Sequence, residues 1–155
     1  MKLLSLFFLI VALLWACNSS TEIESDSLLQ SSKISDNISY TLSVNKTVFL
    51  LTDSIKIKFE VQNFSGSDRE YHFNNIQQFG FRLKDENGNV ALFYPLIVSP
   101  ATSRFNLKHG ETKTFLITWE FKDQNGNYIG RGDYELSAFL LDGNSPEVKL
   151  RISIL

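Results

Sequence analysis

From Ile38 onward, hydrophobic and polar positions alternate along the chain. Ile38, Tyr40, Leu42 and Val44 are spaced by two, as are Ile55, Ile57, Phe59 and Val61. The same spacing recurs in Phe79, Phe81 and Leu83, and in Phe115, Ile117, Trp119 and Phe121. It recurs again in Tyr134, Leu136, Ala138 and Leu140, and last in Val148, Leu150, Ile152 and Ile154. Successive side chains of a strand point to opposite faces, so this pattern predicts half-buried antiparallel strands. Short runs at Val48–Leu51, Arg69–Phe73 and Val90–Tyr94 add three more. No stretch after the N-terminal leader shows a helical period. Asn87-Gly88, Asn125-Gly126 and Asp142-Gly143-Asn144 punctuate the strands and suit turns that need positive φ. Eight or nine short strands with such spacing predict an all-β fold, an immunoglobulin-like antiparallel β-sandwich over residues 38–155.

The N-terminus follows another pattern. After Met1-Lys2, Leu3 to Leu14 is apolar but for Ser5. That run is too short for a transmembrane helix, which needs ~20 residues, and matches the apolar centre of a secretory signal peptide. Leu14-Trp15-Ala16-Cys17 follows, and it resembles the bacterial lipoprotein signal, in which a small residue precedes a Cys. Trp15 departs from that pattern, since its position usually holds a small residue. The resemblance implies cleavage after residue 16, a diacylglycerol thioether on Cys17, and a membrane-anchored protein of the bacterial cell envelope, with the outer membrane the expected site. Cys17 is also the only cysteine. Residues 17–37 hold this Cys and a Ser-, Asp- and Glu-rich stretch with no apolar face, which reads as a flexible tether, with Leu28-Leu29 packing on the domain edge.

Composition narrows the function classes. The chain has 155 residues and a net charge of -2, and loss of Lys2 with the leader leaves fourteen basic against seventeen acidic residues. Nucleic acid needs a basic face, so it is not an expected partner. The mildly acidic surface has no attraction for anionic headgroups, so the lipid alone is expected to make the membrane link. Thirteen Phe and five Tyr against one Met fit a β-rich interior. A single Cys excludes internal disulfides and Cys-based zinc clusters, and two His leave little for a His-based metal site. No G-x-S-x-G, H-E-x-x-H or P-loop occurs. No enzyme activity, metal or cofactor is therefore expected.

Further along, Asn63, Ser65 and Gly66 form an Asn-containing turn after an Ile/Val strand. Gln78-Phe79-Gly80-Phe81-Arg82-Leu83 then leads to Asn87-Gly88-Asn89-Val90, and Leu107, Gly110 and Glu111 follow as L-x-x-G-E. Trp119, Asp123, Gly126 and Gly132-Asp133-Tyr134-Glu135-Leu136 close the series. In order and spacing, this stretch from Asn63 to Leu141 resembles the BsuPI-type intracellular proteinase inhibitor domain family. The family's Trp-Arg-Trp-Ser-like cluster is replaced here by Leu92-Phe93-Tyr94-Pro95, and its Pro before the late Gly by Arg131. The resemblance implies a protein-binding sandwich with a protease or another envelope protein as partner. The alternatives are a glycan- or surface-adhesion module and a structural lipoprotein without a ligand.

Individual residues add one candidate surface. Leu96, Ile97 and Val98 lie between Pro95 and Pro100 in the segment Tyr94–Arg104. They are either a buried strand with proline ends or an exposed, proline-stiffened loop preorganised for binding. The other features have plainer readings. His72 and His109 read as surface residues, and Asp85, Glu86 and Asp123 as solvated turns, since the spacing lacks the D-x-D-x-D-G loop of a calcium site. Trp119 reads as core, in register with Phe115 and Ile117, and Arg131-Gly132-Asp133 as a strand-opening turn rather than an adhesion tripeptide. Asn37, Asn45 and Asn63 head N-glycosylation patterns, and Ser27 and Ser54 lie in Asp-Ser-Leu and Asp-Ser-Ile triplets resembling an O-glycosylation site.

Overall fold

The computed structural model describes residues 29–95 and 100–155. Within them lie β1 Leu29–Ser35, β2 Ile38–Val44, β3 Val48–Phe49, β4 Ile55–Asn63, β5 Arg69–Phe73 and β6 Phe79–Lys84. After these come β7 Val90–Tyr94, β8 Ser103–Leu107, β9 Thr112–Trp119, β10 Gly132–Leu140 and β11 Val148–Ile154. A four-stranded sheet runs β1-β2-β4-β9, and a five-stranded sheet β3-β11-β10-β6-β7. β5 and β8 form a separate two-stranded ribbon. All pairings are antiparallel except β3 with β11.

The alternation seen in the sequence is what packs the two larger sheets together. In β4, Ile55, Ile57, Phe59, Val61 and Asn63 face inward and are buried, while the residues between them are exposed or half-buried. Phe81, Leu83, Tyr134, Leu136, Ala138 and Leu140 supply the opposite wall. Phe59 stacks on Phe79 at 5.3 Å between centroids, and Phe79 on Phe115 at 5.5 Å. Full burial of each such side chain contributes roughly 1.5–3 kcal/mol.

Three differences from the sequence reading have local causes. First, within the expected tether of residues 17–37, Leu29 to Ser35 form a strand paired with β2 from Leu29↔Val44 to Ser35↔Ile38, while residues 17–28 lie outside the described residues. β1 is largely exposed, so no apolar alternation marks it. It is held by the ladder and by the Ser32 and Thr41 hydroxyls, 3.0 Å apart. Asp36 (φ 51°) and Asn37 (φ 60°) make the two-residue turn to β2, in the left-handed region that Asp and Asn tolerate best among residues with a side chain. Second, β9 stops at Trp119 rather than Phe121. Phe121 has φ 55° and turns its fully buried ring against Phe49 at 5.0 Å and Trp119 at 5.1 Å. Third, β8 was not expected. It pairs with β5 through Tyr71↔Phe105, whose rings stack at 4.7 Å, and Phe105 lies 6.3 Å from Phe115.

The turns share one design. In Asp85-Glu-Asn-Gly-Asn89, Gly88 N–H donates to the Asp85 carbonyl at 2.9 Å and Asn89 N–H to the Asp85 carboxylate at 2.8 Å. Asp123-Gln-Asn-Gly-Asn127 repeats the arrangement at 3.1 and 2.9 Å. In each only the glycine takes positive φ, 81° at Gly88 and 79° at Gly126. At the start of β10 the Tyr134 hydroxyl donates to the Gly130 carbonyl at 2.7 Å, the corner that ties a tyrosine to the preceding loop in immunoglobulin-like sandwiches.

The registers define two ends. At one, Ser35, Ile38 and Asn63 lie side by side across the four-stranded sheet, with Thr112 opposite Gln62. The connection from β4 to β6, that from β7 to β8, and the β10–β11 loop also start or finish there. At the other, Leu29 lies beside Val44, and Ile55 beside Trp119. Phe49, the Asp85 and Asp123 turns and Leu155 belong to this end. We call them the loop end and the tether end.

Candidate protein-binding surface

The loop end is organised around Asn63. Its inward register places it on the core face of β4, and it is fully buried. Its Nδ2 donates to the carbonyls of Ser67 and Leu107, both at 2.9 Å. Its Oδ1 accepts from Ser65 N–H at 2.9 Å and Ser65 Oγ at 2.6 Å. Its backbone bonds the β8–β9 turn twice, Asn63 N–H to Glu111 O at 3.0 Å and Gly110 N–H to Asn63 O at 2.7 Å. That turn closes on itself through Lys108 N–H to the Glu111 carboxylate at 2.8 Å. One asparagine thus joins β4, the turn that follows it and the entry to β9.

The same end holds both flanks of the Tyr94–Arg104 segment. On one flank Tyr94 stacks on Phe81 at 5.1 Å, and Pro95, after a cis peptide bond, is buried. On the other, Ser103 Oγ donates to the Asn75 carbonyl at 2.7 Å, and Gln78 Nε2 donates to Ser103 Oγ at 3.3 Å. Phe105 stacks on Tyr71 and Phe73, so the β5–β8 ribbon anchors the chain two residues beyond Ser103. Leu96, Ile97 and Val98 themselves lie outside the described residues, as does Cys17.

Next to this frame runs a groove of about 280 Å³, lined among others by Asp36, Tyr40, Arg69, Tyr71 and Asp142. The Tyr40 and Tyr71 hydroxyls are 3.4 Å apart. Burial, reinforced by the Tyr40 hydroxyl, pushes the Tyr71 phenol well above its ordinary range, so it stays a neutral donor. Two apolar side chains, Phe64 and Ile76, are exposed at this end. The frame is densely hydrogen-bonded and carries apolar side chains at exposed points, which suits docking of a polypeptide. A larger groove, about 760 Å³, lies near the tether end between Lys84, Asp85, Asp133 and Arg151, away from this frame.

The remaining sequence candidates fall into place individually. His72 is exposed, 3.4 Å from the Glu70 carboxylate, and His109 sits in an exposed turn with Nδ1 against the Ser65 carbonyl. The two belong to the loop end but meet no common partner. Asp85 and Asp123 spend their carboxylates on their own turns, and hydrogen bonds from Asn89 and Asn127 hold them below the usual carboxylate range. Among the described residues no group of three or more His, Cys, Asp or Glu is placed to hold a metal ion. Trp119 is half-buried against Phe81 and Phe121, with Nε1 donating to the Lys122 carbonyl at 2.9 Å. Asp133 is exposed at the start of β10 and touches the Ser153 hydroxyl. The buried Asn63 hub was seen in the sequence only as part of a turn motif. An Asn at an inward position of an alternating strand, followed by Ser and Gly, was the available signal.

Two sheets face to face, a tyrosine corner at β10 and a framed loop end define an immunoglobulin-like β-sandwich of the kind that carries recognition on its loops. The family profile described as "BsuPI: Intracellular proteinase inhibitor" matches residues 42–145, and the chain belongs to that family. The match covers the sandwich from mid-β2 to the β10–β11 loop and leaves β1 outside it. Among curated proteins none matches the chain. Solved structures with a similar course include Pseudomonas fluorescens alkylpurine DNA glycosylase AlkC bound to DNA, at 11% identity and TM-score 0.49, covering 72% of this chain and 28% of that one. A β-glucosidase from Erythrobacter marinus aligns at 13% identity and TM-score 0.45, over 83% of this chain and 16% of its own. The CARDB domain of the PF1109 protein from Pyrococcus furiosus aligns at 12% and TM-score 0.40, over 83% and 89%. The chain therefore spans less than a third of the glycosylase and the glucosidase.

Proposed function

We propose that the protein is a lipid-anchored lipoprotein of the bacterial envelope whose loop end binds a proteinase and restrains it. The observation that carries this reading is the match of residues 42–145 to the proteinase inhibitor family. The leader of residues 1–16 with Cys17 supports export and anchoring, so this member works outside the cytoplasm despite the family's description. Leu96-Ile97-Val98 is the proposed contact. Both flanks of that segment are fixed to the sandwich at Pro95 and Ser103, which limits the entropy lost on docking. A short apolar stretch of this composition, taken up as an added strand, suits a protease cleft. No catalytic step is assigned to the chain.

Capture from an envelope extract tests the partner. Unlabelled envelope extract is passed over the immobilised protein, and the expected result is retention of a protease that loses its activity on binding and, while bound, is no longer labelled by an active-site probe. Retention of no protease would refute the inhibitor reading. Metabolic palmitate labelling tests the anchor. Cys17→Ser is expected to abolish incorporation and leave an uncleaved precursor, whereas equal incorporation by both forms would sink it.

A further inference from the structure

Which way a tethered domain faces depends on where its tether joins. β1 lies outside the family match and carries the chain along the whole edge of β2. Its first residue, Leu29, pairs with Val44, so residues before 29 join the sandwich at the end opposite the loop frame. Eleven residues, 18–28, separate Cys17 from Leu29. As a coil such a length spans on the order of 20 Å. The nine-residue strand β4 alone makes the sandwich roughly 30 Å tall at 3.2–3.4 Å per residue. At that mean span the tether end lies at the anchored bilayer, whereas bringing the loop end there would need the intervening chain stretched toward its full length.

That end also carries apolar side chains which the fold leaves uncovered. Leu50 is 57% exposed and Leu155 55%. The Leu155 N–H donates to the Phe49 carbonyl at 2.8 Å, which sets the two leucines on adjoining stretches of chain. Behind them Phe49, Phe121 and Trp119 form a packed aromatic floor. Tyr128, in the neighbouring β9–β10 connection, is also exposed, with the Lys122 ammonium 5.1 Å from its ring centre. An apolar body with a polar tip is the side chain that settles at a headgroup boundary. The charges nearby are of both signs: Lys46 pairs with Asp53 at 2.5 Å and Lys122 with Glu120 at 2.8 Å, and the grooves beside Leu155 are lined by Lys84, Arg131 and Arg151 together with Asp85, Glu86 and Asp133. The surface therefore has no call for anionic lipid and fits a zwitterionic one. Phe64 and Ile76 at the loop end are about as exposed as the leucines, so exposure alone does not choose between the ends. The point of tether entry does.

We infer that the tether end rests on a zwitterionic bilayer surface through Leu50 and Leu155, and so holds the loop end toward the aqueous compartment. The inference rests on the proposed anchoring at Cys17. Anchoring raises the local concentration of lipid surface around the domain, so a contact too weak to recruit the free protein suffices to orient the tethered one.

The test uses the mature lipidated protein in vesicles of phosphatidylethanolamine and phosphatidylcholine carrying a headgroup nitroxide. A fluorophore is placed through Asn125→Cys at the tether end or through Asn144→Cys at the loop end, Cys17 being blocked by its lipid. The expected result is several-fold stronger quenching at position 125 than at 144, with most of the difference lost in the Leu50→Ser, Leu155→Ser double variant. Flotation with the vesicles and unchanged circular dichroism show that the variant is still anchored and folded. Equal quenching at the two positions, or a difference that survives the serine substitutions, overturns the docking while leaving the anchor intact. Failure of the wild type to float overturns both, and flotation identifies the anchor as the cause.

Discussion

Replacing Asn63 by alanine is expected to be among the most damaging single changes at the loop end. The side chain is fully buried and makes four hydrogen bonds, two donated to Ser67 and Leu107 and two accepted from Ser65. Each contributes about 1 kcal/mol net, and truncation leaves the Leu107 carbonyl without its partner in the interior. The expected loss is about 3–5 kcal/mol. At an m-value of about 2 kcal/mol per molar urea, the midpoint falls by about 2 M, read by Trp119 fluorescence and circular dichroism. Asn63→Asp sharpens the test. The carboxylate has no hydrogen to give to Ser67 O or Leu107 O and is repelled by both, so burial raises its folded pKa above the unfolded value. Its protonated form donates one bond, so the variant is expected to be least destabilised below the ordinary carboxylate range and to lose stability as pH rises through the raised pKa. A loss under about 1 kcal/mol for Asn63→Ala, or a pH-independent Asn63→Asp, would refute the hub.

Four further substitutions separate the parts of the fold. Tyr134→Phe removes the bond to Gly130 O and is expected to cost about 1 kcal/mol in urea unfolding, with no change in capture at the far end. Gly80→Ala would set a Cβ 2.9 Å from the Tyr94 carbonyl and 3.1 Å from Phe139 and Leu141, so the β6–β7 pair must shift, and the expected cost is about 1–3 kcal/mol. Trp119→Ala is expected to cost about 3 kcal/mol, the low end for a core aromatic because the ring is only half-buried, while Asp133→Ala stays within about 0.5 kcal/mol; reversal of that order would put the β9 register in doubt.

The alternation of Ile55 to Val61 and of Tyr134 to Leu140 was enough to place β4 and β10, because each strand has one face in the core and one in water. The short runs at Arg69–Phe73 and Val90–Tyr94 matched β5 and β7 for the same reason. β1 was hidden because it is an exposed edge strand, specified by backbone pairing to β2 and not by burial. β8 was hidden because its partner β5 lies some thirty residues upstream, a pairing no local pattern records. Phe121 kept the period of two and still left the strand, since burial can be met by a left-handed turn as well as by a ladder. Of the loop end, the motif around Asn63 was visible. Three of the side-chain bonds that make it a hub are local, to Ser65 and Ser67, but the fourth goes to Leu107, which the β8–β9 turn brings to Asn63 from more than forty residues away.

The central claim is that the loop end binds a proteinase through the segment between Pro95 and Pro100. The most direct measurement replaces Leu96-Ile97-Val98 with Ser-Gly-Ser in the full chain and follows circular dichroism and protease capture on the same preparation. The account expects a folded variant that no longer retains the protease held by the wild type. A folded variant that captures as well as the wild type, or one that unfolds because the three side chains belong to the core, would contradict it.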